Sequence, residues 1–156
     1  MRKLSLALSA AALSAAAAPA LASDLTVSIE IPRIAGASYH RPYVAVWIER
    51  PDNTAVRTLA VWYQQTANQE GDGKDWLKDM RTWWRRAGRA MTLPVDGVPG
   101  TRLSNLPAGD YVMVVEAARE LGGREVVRIP FRWGAANTAR ATGSTELGAV
   151  SVAVTR

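Results

Sequence analysis

Few residues in this chain could carry out chemistry, since it contains one histidine and no cysteine. A Ser-His-Asp triad or a histidine-rich metal site could use only His40, and no serine lies in a G-x-S-x-G motif. The acidic stretch with Glu70, Asp72 and Asp75 lacks the residue spacing of a calcium-binding loop. We therefore expect a protein that is not an enzyme and that has no metal site.

His40 is nevertheless a candidate for ligand binding, because it follows Tyr39 in a loop between two predicted strands. Loops carry a large share of the binding residues of proteins. Tyr39 and His40 are therefore the candidates for a ligand-binding loop. The alternative is that both are ordinary surface or structural residues.

The segment 75–89, with the sequence DWLKDMRTWWRRAGR, is the only long stretch that is typical of a helix. At 100° per residue, its tryptophans fall within an apolar arc about 120° wide, as in an amphipathic helix that packs on a sheet: Trp76, Trp83 and Trp84. Four cations fall on the opposite side: Lys78, Arg81, Arg85 and Arg89. We expect the tryptophans to be structural. The cations either point into solvent or bind an acidic partner, since arginine suits carboxylate and phosphate groups.

The positive charge of the chain is concentrated in this same segment. The formal net charge is +5, and loss of Arg2 and Lys3 with an N-terminal leader lowers it to +3. Segment 75–89 holds five basic and two acidic residues, so the rest of that shorter chain is neutral. No nucleic-acid-binding motif accompanies the charge, and we expect no nucleic-acid partner.

The N-terminus has the pattern of a Sec-type signal peptide. Two basic residues at 2–3 precede the apolar run 4–18, and residues 20–22 form a small-x-small cleavage site. The apolar run is too short to span a bilayer, and no later segment is long and apolar enough to do so. We therefore predict that residues 1–22 are cleaved and that 23–156 form a single domain, in the periplasm of a Gram-negative bacterium.

Most of the remaining sequence is typical of strands separated by turns. Alternating apolar residues predict the first strand. A run that is apolar on both faces predicts a central second strand, and a turn joins the second strand to the third: 25–31, 43–50 and 56–65. Four further strands are predicted around a loop at 134–144: 103–106, 111–120, 124–133 and 150–154. Seven strands at this spacing predict a mainly β protein, an immunoglobulin-like antiparallel β-sandwich with one inserted helix at about 75–88.

One local motif supports the sandwich. Residues 106–111, LPAGDY, match the L-x-x-G-x-Y pattern of a tyrosine corner. In such a corner the hydroxyl of a tyrosine at the start of a strand donates a hydrogen bond back to the preceding chain. Tyr111 is therefore predicted to be structural.

Four stretches, in this order, resemble the bacterial domain of unknown function 2271 family of predicted periplasmic proteins: HRPYVAVWIER, TLAVWYQQ, KDWLKDMRTWWRR and LPAGDYVMVVEAARELGGRE. The similarity covers nearly all of the chain after the leader, and the tryptophan-rich run is its most specific part. The resemblance implies a small soluble periplasmic domain whose gene neighbours encode PepSY-type membrane proteins and FMN transferases. It implies a role in envelope redox chemistry or metal acquisition and establishes no activity.

The resemblance also implies a stretch of the type Asp-x-x-Ser/Thr-Gly-Ala-Ser/Thr, where FMN transferases attach flavin to the last hydroxyl. The matching place here is 96–101, in which Thr101 would carry FMN. Two departures favour a Pro-Gly turn without a cofactor. Pro99 replaces the hydroxyl residue, and the alanine before the threonine is missing.

Three functions remain open at this point. We favour a non-enzymatic accessory domain whose basic helix face contacts a membrane redox or metal-uptake partner in the cell envelope: Lys78, Arg81, Arg85 and Arg89. The first alternative is a flavin-carrying electron-transfer domain with FMN on Thr101. The second is a sandwich that binds a sugar or a peptide through exposed aromatic rings: Tyr39, Tyr43 or Trp133.

Overall fold

The computed structural model describes residues 23–36, 39–66, 71–92, 103 and 105–156. The predicted signal peptide, 1–22, lies outside the described residues. Seven strands form within the described part of the chain: β1 (Asp24–Ile29), β2 (Tyr43–Glu49), β3 (Ala55–Trp62), β4 (Gly109–Ala118), β5 (Arg124–Trp133), β6 (Asn137–Thr142) and β7 (Ala149–Thr155).

The strands form two antiparallel sheets, one in the order β1-β7-β6 and one in the order β3-β2-β4-β5. The predicted mainly β, antiparallel sandwich is confirmed, and so are the β2–β3 hairpin and the central position of β2. β1 pairs with β7 along its whole length, so the first and last strands are neighbours. The protein thus shares the sandwich architecture of immunoglobulin domains, with a strand order of its own.

The location of one strand differs from the sequence prediction. The sequence predicts a strand at 103–106 and a loop over 134–144. Leu103 and Leu106 are instead buried in a turn, in which the Leu106 N–H donates to the Leu103 carbonyl at 2.8 Å. β6 forms within the predicted loop because β7 pairs with every one of its residues. Its small alanines and threonines give a weak strand signal, which the neighbouring strand completes.

The two sheets enclose the main apolar core. Strand β5 contributes alternate residues, as its sequence predicts: Val127, Ile129, Phe131 and Trp133. The arginines on its other face are exposed: Arg124, Arg128 and Arg132. Tyr111 packs on the same core, and its hydroxyl donates to the Pro107 carbonyl at 2.8 Å, as expected for a tyrosine corner.

A helical segment, residues 73–90, covers the other face of the four-stranded sheet as a third layer. Its buried side chains pack against this face of β2, β3 and β4: Leu77, Met80 and Trp83. Strands β2 and β4 are therefore buried on both faces. This explains why the β2 sequence is apolar without alternation.

The helical segment is not the single helix, about 75–88, that the sequence predicts. It consists of a 3₁₀ helix (Gly73–Asp79), the α-helix α1 (Arg81–Arg86) and a second 3₁₀ helix (Gly88–Ala90). Between the first two, the backbone of Met80 leaves the helical region, with a ψ of 71°. The three parts are therefore oriented by their separate contacts with the sheet.

This interruption changes where the tryptophans point. Trp83 is fully buried and Trp84 is half-buried, as their predicted structural role requires. Trp76 is 49% exposed, so the prediction that it packs in the core is wrong. A 3₁₀ helix has three residues per turn instead of 3.6. Trp76 therefore does not share the face that a continuous α-helix would give it with Trp83.

Two buried glutamates fasten the helical segment to the sheet. The Glu116 carboxylate on β4 accepts hydrogen bonds from the N–H groups of Thr82 and Trp83 at 3.1 and 2.7 Å. It also accepts one from Arg124 at 2.7 Å. The two N–H groups lie in the first turn of α1, where a helix has no acceptors of its own and favours negative charge. A sheet residue thus caps the helix.

Glu49, at the end of β2, is the second buried glutamate. It accepts a hydrogen bond from Trp47 Nε1 at 2.7 Å and forms ion pairs with Arg86 of α1 and Arg128 of β5. Burial acts to raise the pKa of Glu49, but the hydrogen bonds from Arg86, Trp47 and Arg128 outweigh it and lower the pKa. The carboxylate therefore stays charged between the sheet and the helical segment.

Replacement of Glu116 by alanine should lower the free energy of unfolding by about 3 kcal/mol, because two N–H groups and the Arg124 guanidinium lose their acceptor. Glu116→Gln keeps one acceptor oxygen and should cost less. Urea denaturation at neutral pH measures both variants. Asp110→Ala is the matched control, since Asp110 and its partner Arg132 are exposed and such pairs contribute little. A loss in Glu116→Ala no larger than that of the control would contradict the anchoring role.

Candidate functional site

A cleft of about 890 Å³ opens at one end of the four-stranded sheet. The register of the strands brings its walls together: Trp62 at the end of β3 lies opposite Val44, and Tyr43 at the start of β2 lies opposite Ala118. The first 3₁₀ helix and the β4–β5 turn also contribute lining residues. We name it the aromatic cleft after the four rings that line it: Tyr43, Trp62, Tyr63 and Trp76.

The exposed apolar side chains of the described residues are concentrated at this cleft. Within the described ranges, four large hydrophobic residues are exposed, at 42, 47, 49 and 86%, respectively: Tyr39, Trp62, Trp76 and Leu121. Trp62, Trp76 and Leu121 line the aromatic cleft, and Tyr39 lines a groove of about 470 Å³ that shares Trp62 with it. Apolar groups gathered on one concave surface mark a binding site, whereas single scattered ones do not.

Trp76 reaches the cleft because of how the first 3₁₀ helix begins. Asp72 caps this helix by accepting a hydrogen bond from the Lys74 N–H at 3.0 Å. Gly73 packs against the chain that leaves β3, and a side-chain carbon on it would lie 1.9 Å from the Gln64 carbonyl oxygen. Only glycine permits this close approach. The approach holds the helix, and Trp76 with it, beside the end of β3.

Two tyrosines of the cleft, Tyr43 and Tyr63, contact each other edge to face, with ring centroids 6.5 Å apart. Burial raises the pKa of Tyr43, so its hydroxyl stays protonated. The Tyr63 hydroxyl oxygen is buried and has no hydrogen-bond partner among the described residues. A buried hydroxyl without a hydrogen-bond partner is energetically unfavourable.

The charged residues of the β4–β5 turn are paired within the protein. The Arg119 guanidinium donates to both carboxylate oxygens of Glu146, at 2.8 and 3.1 Å, and this pairing lowers the pKa of Glu146. Glu146 also accepts from the Gly123 N–H at 2.8 Å. The charge of Arg119 is therefore balanced within the protein. Glu120, the next residue in the turn, has its Oε2 atom 3.4 Å from His40 Nδ1.

A loop between β6 and β7 supports this turn, and Glu125 of β5 holds the loop. The Glu125 carboxylate accepts hydrogen bonds of 2.6 to 3.1 Å from four successive N–H groups: those of Ser144, Thr145, Glu146 and Leu147. Burial acts to raise the pKa of Glu125, but these bonds and one from the Ser144 hydroxyl lower it from 4.5 to about 2. The loop therefore depends on an ionised Glu125.

Because the pKa of Glu125 is lower in the folded protein, its stabilising contribution is fully present above about pH 4.5 and disappears as the pH falls toward 2. After allowance for solvent screening, we expect Glu125→Gln to cost about 1 to 2 kcal/mol near neutral pH. The difference from the wild type should shrink at about pH 2.5. Urea denaturation of both proteins at the two pH values tests this. A difference that is independent of pH would refute the assigned role.

The four cations predicted to bind a partner are all exposed: Lys78, Arg81, Arg85 and Arg89. They lie on three separate helical parts, so they do not form the straight stripe of a single helix. Arg85 Nε donates to the Arg81 carbonyl at 3.2 Å, and none of the four forms an ion pair with a described carboxylate. Arg86, in contrast, is paired with Glu49.

The other predicted ligand residues divide into two groups. Tyr39 is exposed, and His40 and Tyr43 are half-buried and line the aromatic cleft. Trp133 is buried, and its Nε1 donates to the Leu106 carbonyl at 2.9 Å, so the prediction of an exposed ring there is wrong. The sequence places Trp133 on the apolar face of β5, and this position already indicated that the ring is buried.

Sequence reasoning missed Trp62, Tyr63 and the outward position of Trp76. One signal for Trp62 was available in the alternation of β3, where Val61 points into the protein and its neighbour must point out. For Trp76 there was no such signal, because the helical interruption that exposes it depends on packing against the sheet.

The candidate flavin site, Thr101, lies outside the described residues, so flavin attachment there stays a prediction. Across the described ranges, no cluster of three or more histidine or acidic side chains could hold a metal ion. None of the helices in that part of the chain is long and apolar enough to cross a membrane.

A family model described as "predicted periplasmic protein (DUF2271)" matches residues 24–104 and 100–149. The chain belongs to the DUF2271 family. The resemblance seen in the sequence is thereby confirmed, and the match includes every residue that lines the aromatic cleft. No curated protein and no solved structure matches the chain. The family description gives a predicted location and no activity.

Proposed function

We propose that this DUF2271 protein is a non-enzymatic periplasmic binding domain that holds a small ligand in its aromatic cleft. The proposal rests on the concentration of exposed apolar side chains at the cleft. Exposed Trp62 and Trp76 are energetically unfavourable unless a ligand covers them, and both come from elements that the sheet holds rigidly. The cleft volume of about 890 Å³ is within the range of small-molecule sites.

The composition of the cleft lining favours binding over catalysis. Its described residues include no serine, threonine, lysine or cysteine that could act as a nucleophile. The one histidine of the lining, His40, lies 3.4 Å from Glu120. Among the described residues, no buried group orients either side chain, in contrast to the usual members of a catalytic dyad.

A fragment screen by NMR tests the proposal through the indole N–H signals of the tryptophans. Ligands of the cleft should shift the signals of Trp62 and Trp76. The indole signals of the buried Trp47 and Trp83 serve as internal controls and should stay unchanged, since these N–H groups donate to Glu49 and Thr58 inside the protein. Trp62→Ala or Trp76→Ala should weaken binding by about 10-fold or more, as for other aromatic anchors. A screen in which no fragment shifts either indole signal would argue against a binding cleft.

A second candidate function uses the exposed cations of the helical segment, which would contact an acidic partner in the envelope. The observation in its favour is that four cations lie outside the ion pairs of the described residues, whereas Arg86, Arg124 and Arg128 are held by buried glutamates. The chain therefore separates structural arginines from solvated ones. A membrane redox or metal-uptake protein with an acidic surface would suit such a patch.

Reversal of Arg81, Arg85 and Arg89 to glutamate should leave the fold intact, because these side chains are exposed. We expect the variant to lose at least about 10-fold in recovery of a specific membrane protein from envelope extracts, through loss of charge complementarity. The control carries the same charge change on other exposed arginines: Arg33, Arg50 and Arg140. Equal recovery by both variants and the wild type would refute this function, and circular dichroism checks the fold.

A further inference from the structure

We infer that the aromatic cleft binds a neutral saccharide. This inference rests on the proposed function of the cleft as a binding site, and it names the chemical class of the ligand. Three properties of the lining carry it: half-exposed indole rings, a balance of charge, and a set of hydrogen-bonding groups that suits hydroxyls.

The indole rings select a ligand that has apolar faces. Trp62 and Trp76 line the same cleft and are each about half exposed, at 47 and 49%. A sugar ring presents axial C–H groups on its face, which can cover an indole while its hydroxyls remain at the edge. Tyr39 lines the groove that shares Trp62, so the apolar surface continues beyond the cleft. The ligand that fits this surface has more than one ring.

The charges of the lining select a neutral ligand. Arg119 is bound by both oxygens of Glu146, and His40 lies 3.4 Å from Glu120. The remaining charged lining residues, Arg41 and Asp79, have opposite signs. A phosphate would therefore find no excess of positive charge. A neutral ligand leaves the existing ion pairs intact, so it avoids the cost of breaking them.

The polar groups of the lining suit hydroxyls, which both donate and accept hydrogen bonds. The carboxylates of Asp79 and Glu120, two exposed residues of the lining, can accept hydrogen bonds from ligand hydroxyls.

A proline-rich peptide is the main competing ligand, since it also packs against grooves lined by Trp and Tyr. Proline has no N–H, so such a peptide has few donors. It would therefore remove water from the Asp79 and Glu120 carboxylates without replacing their hydrogen bonds. The carboxylates of the cleft thus favour a saccharide over this peptide class.

The test is a titration of the purified protein, followed by NMR through the indole signals of Trp62 and Trp76. The neutral probes are cellotriose, maltotriose and triacetylchitotriose, each at up to about 10 mM. The comparison probes are a hexaproline peptide, inorganic phosphate and choline. We expect at least one trisaccharide to shift both indole signals saturably, and the comparison probes to leave them unchanged.

Matched variants make the test specific. Trp76→Ala should raise the Kd of the trisaccharide by about 10-fold or more, whereas Trp76→Phe, which keeps a ring, should have a smaller effect. Arg140→Ala, a change at an exposed position of β6, should leave the Kd unchanged. Indole dispersion in the spectra shows whether each variant is folded.

The outcomes separate this inference from the proposed function. If none of the three trisaccharides shifts the two indole signals, or if only a comparison probe does, the saccharide assignment is overturned. The fragment screen described above still decides independently whether the cleft binds ligands. Trisaccharide binding that is unaffected by Trp76→Ala would likewise overturn the assignment, because the ligand would then lie elsewhere.

Discussion

The structure depends on two glutamates buried between a sheet and a helical layer. Glu116 accepts hydrogen bonds from the first turn of α1, and Glu49 binds Arg86 of the same helix. A buried carboxylate is costly unless charged donors and N–H groups surround it. The strands supply Trp47, Arg124 and Arg128 as partners, and the remaining partners are in place only when the helical segment lies across β2 and β4. The interaction therefore specifies the position of a helix that, at six residues, is too short to be stable by itself.

The placement of the helical segment in turn creates the aromatic cleft. The first 3₁₀ helix must run past the end of β3, where Gly73 packs on the Gln64 carbonyl. Trp76 then lies at the same cleft as Trp62. On the other side, Glu125 fixes the loop that presents Glu146 to Arg119. Both walls are thus held by buried or hydrogen-bonded carboxylates, which keep the two tryptophans in place without a ligand.

The charged residues of the protein fall into two groups with different physical roles. Arg86, Arg119 and Arg128 pair with carboxylates that are buried, and these pairs define the fold. The cations on the outer side of the helical segment are exposed. Both groups consist of cationic side chains, and they differ only in whether a buried carboxylate lies beside them. The high arginine content therefore reflects internal structure as well as surface charge, which is consistent with the absence of a nucleic-acid motif.

The sequence by itself determined the sandwich, the tyrosine corner, the family and most strand positions. Period-2 alternation in β5 and the apolar run of β2 are local properties that remain when the chain folds. Only the tertiary structure decided that β6 is a strand, that Met80 interrupts the helix and that Trp76 is exposed. The physical reason is that each of these outcomes depends on a distant partner: β7 for β6, and the buried glutamates and the β3 end for the helical segment. Helical periodicity assumes a continuous helix, so it placed Trp76 in the core, whereas packing on the sheet placed it in the cleft.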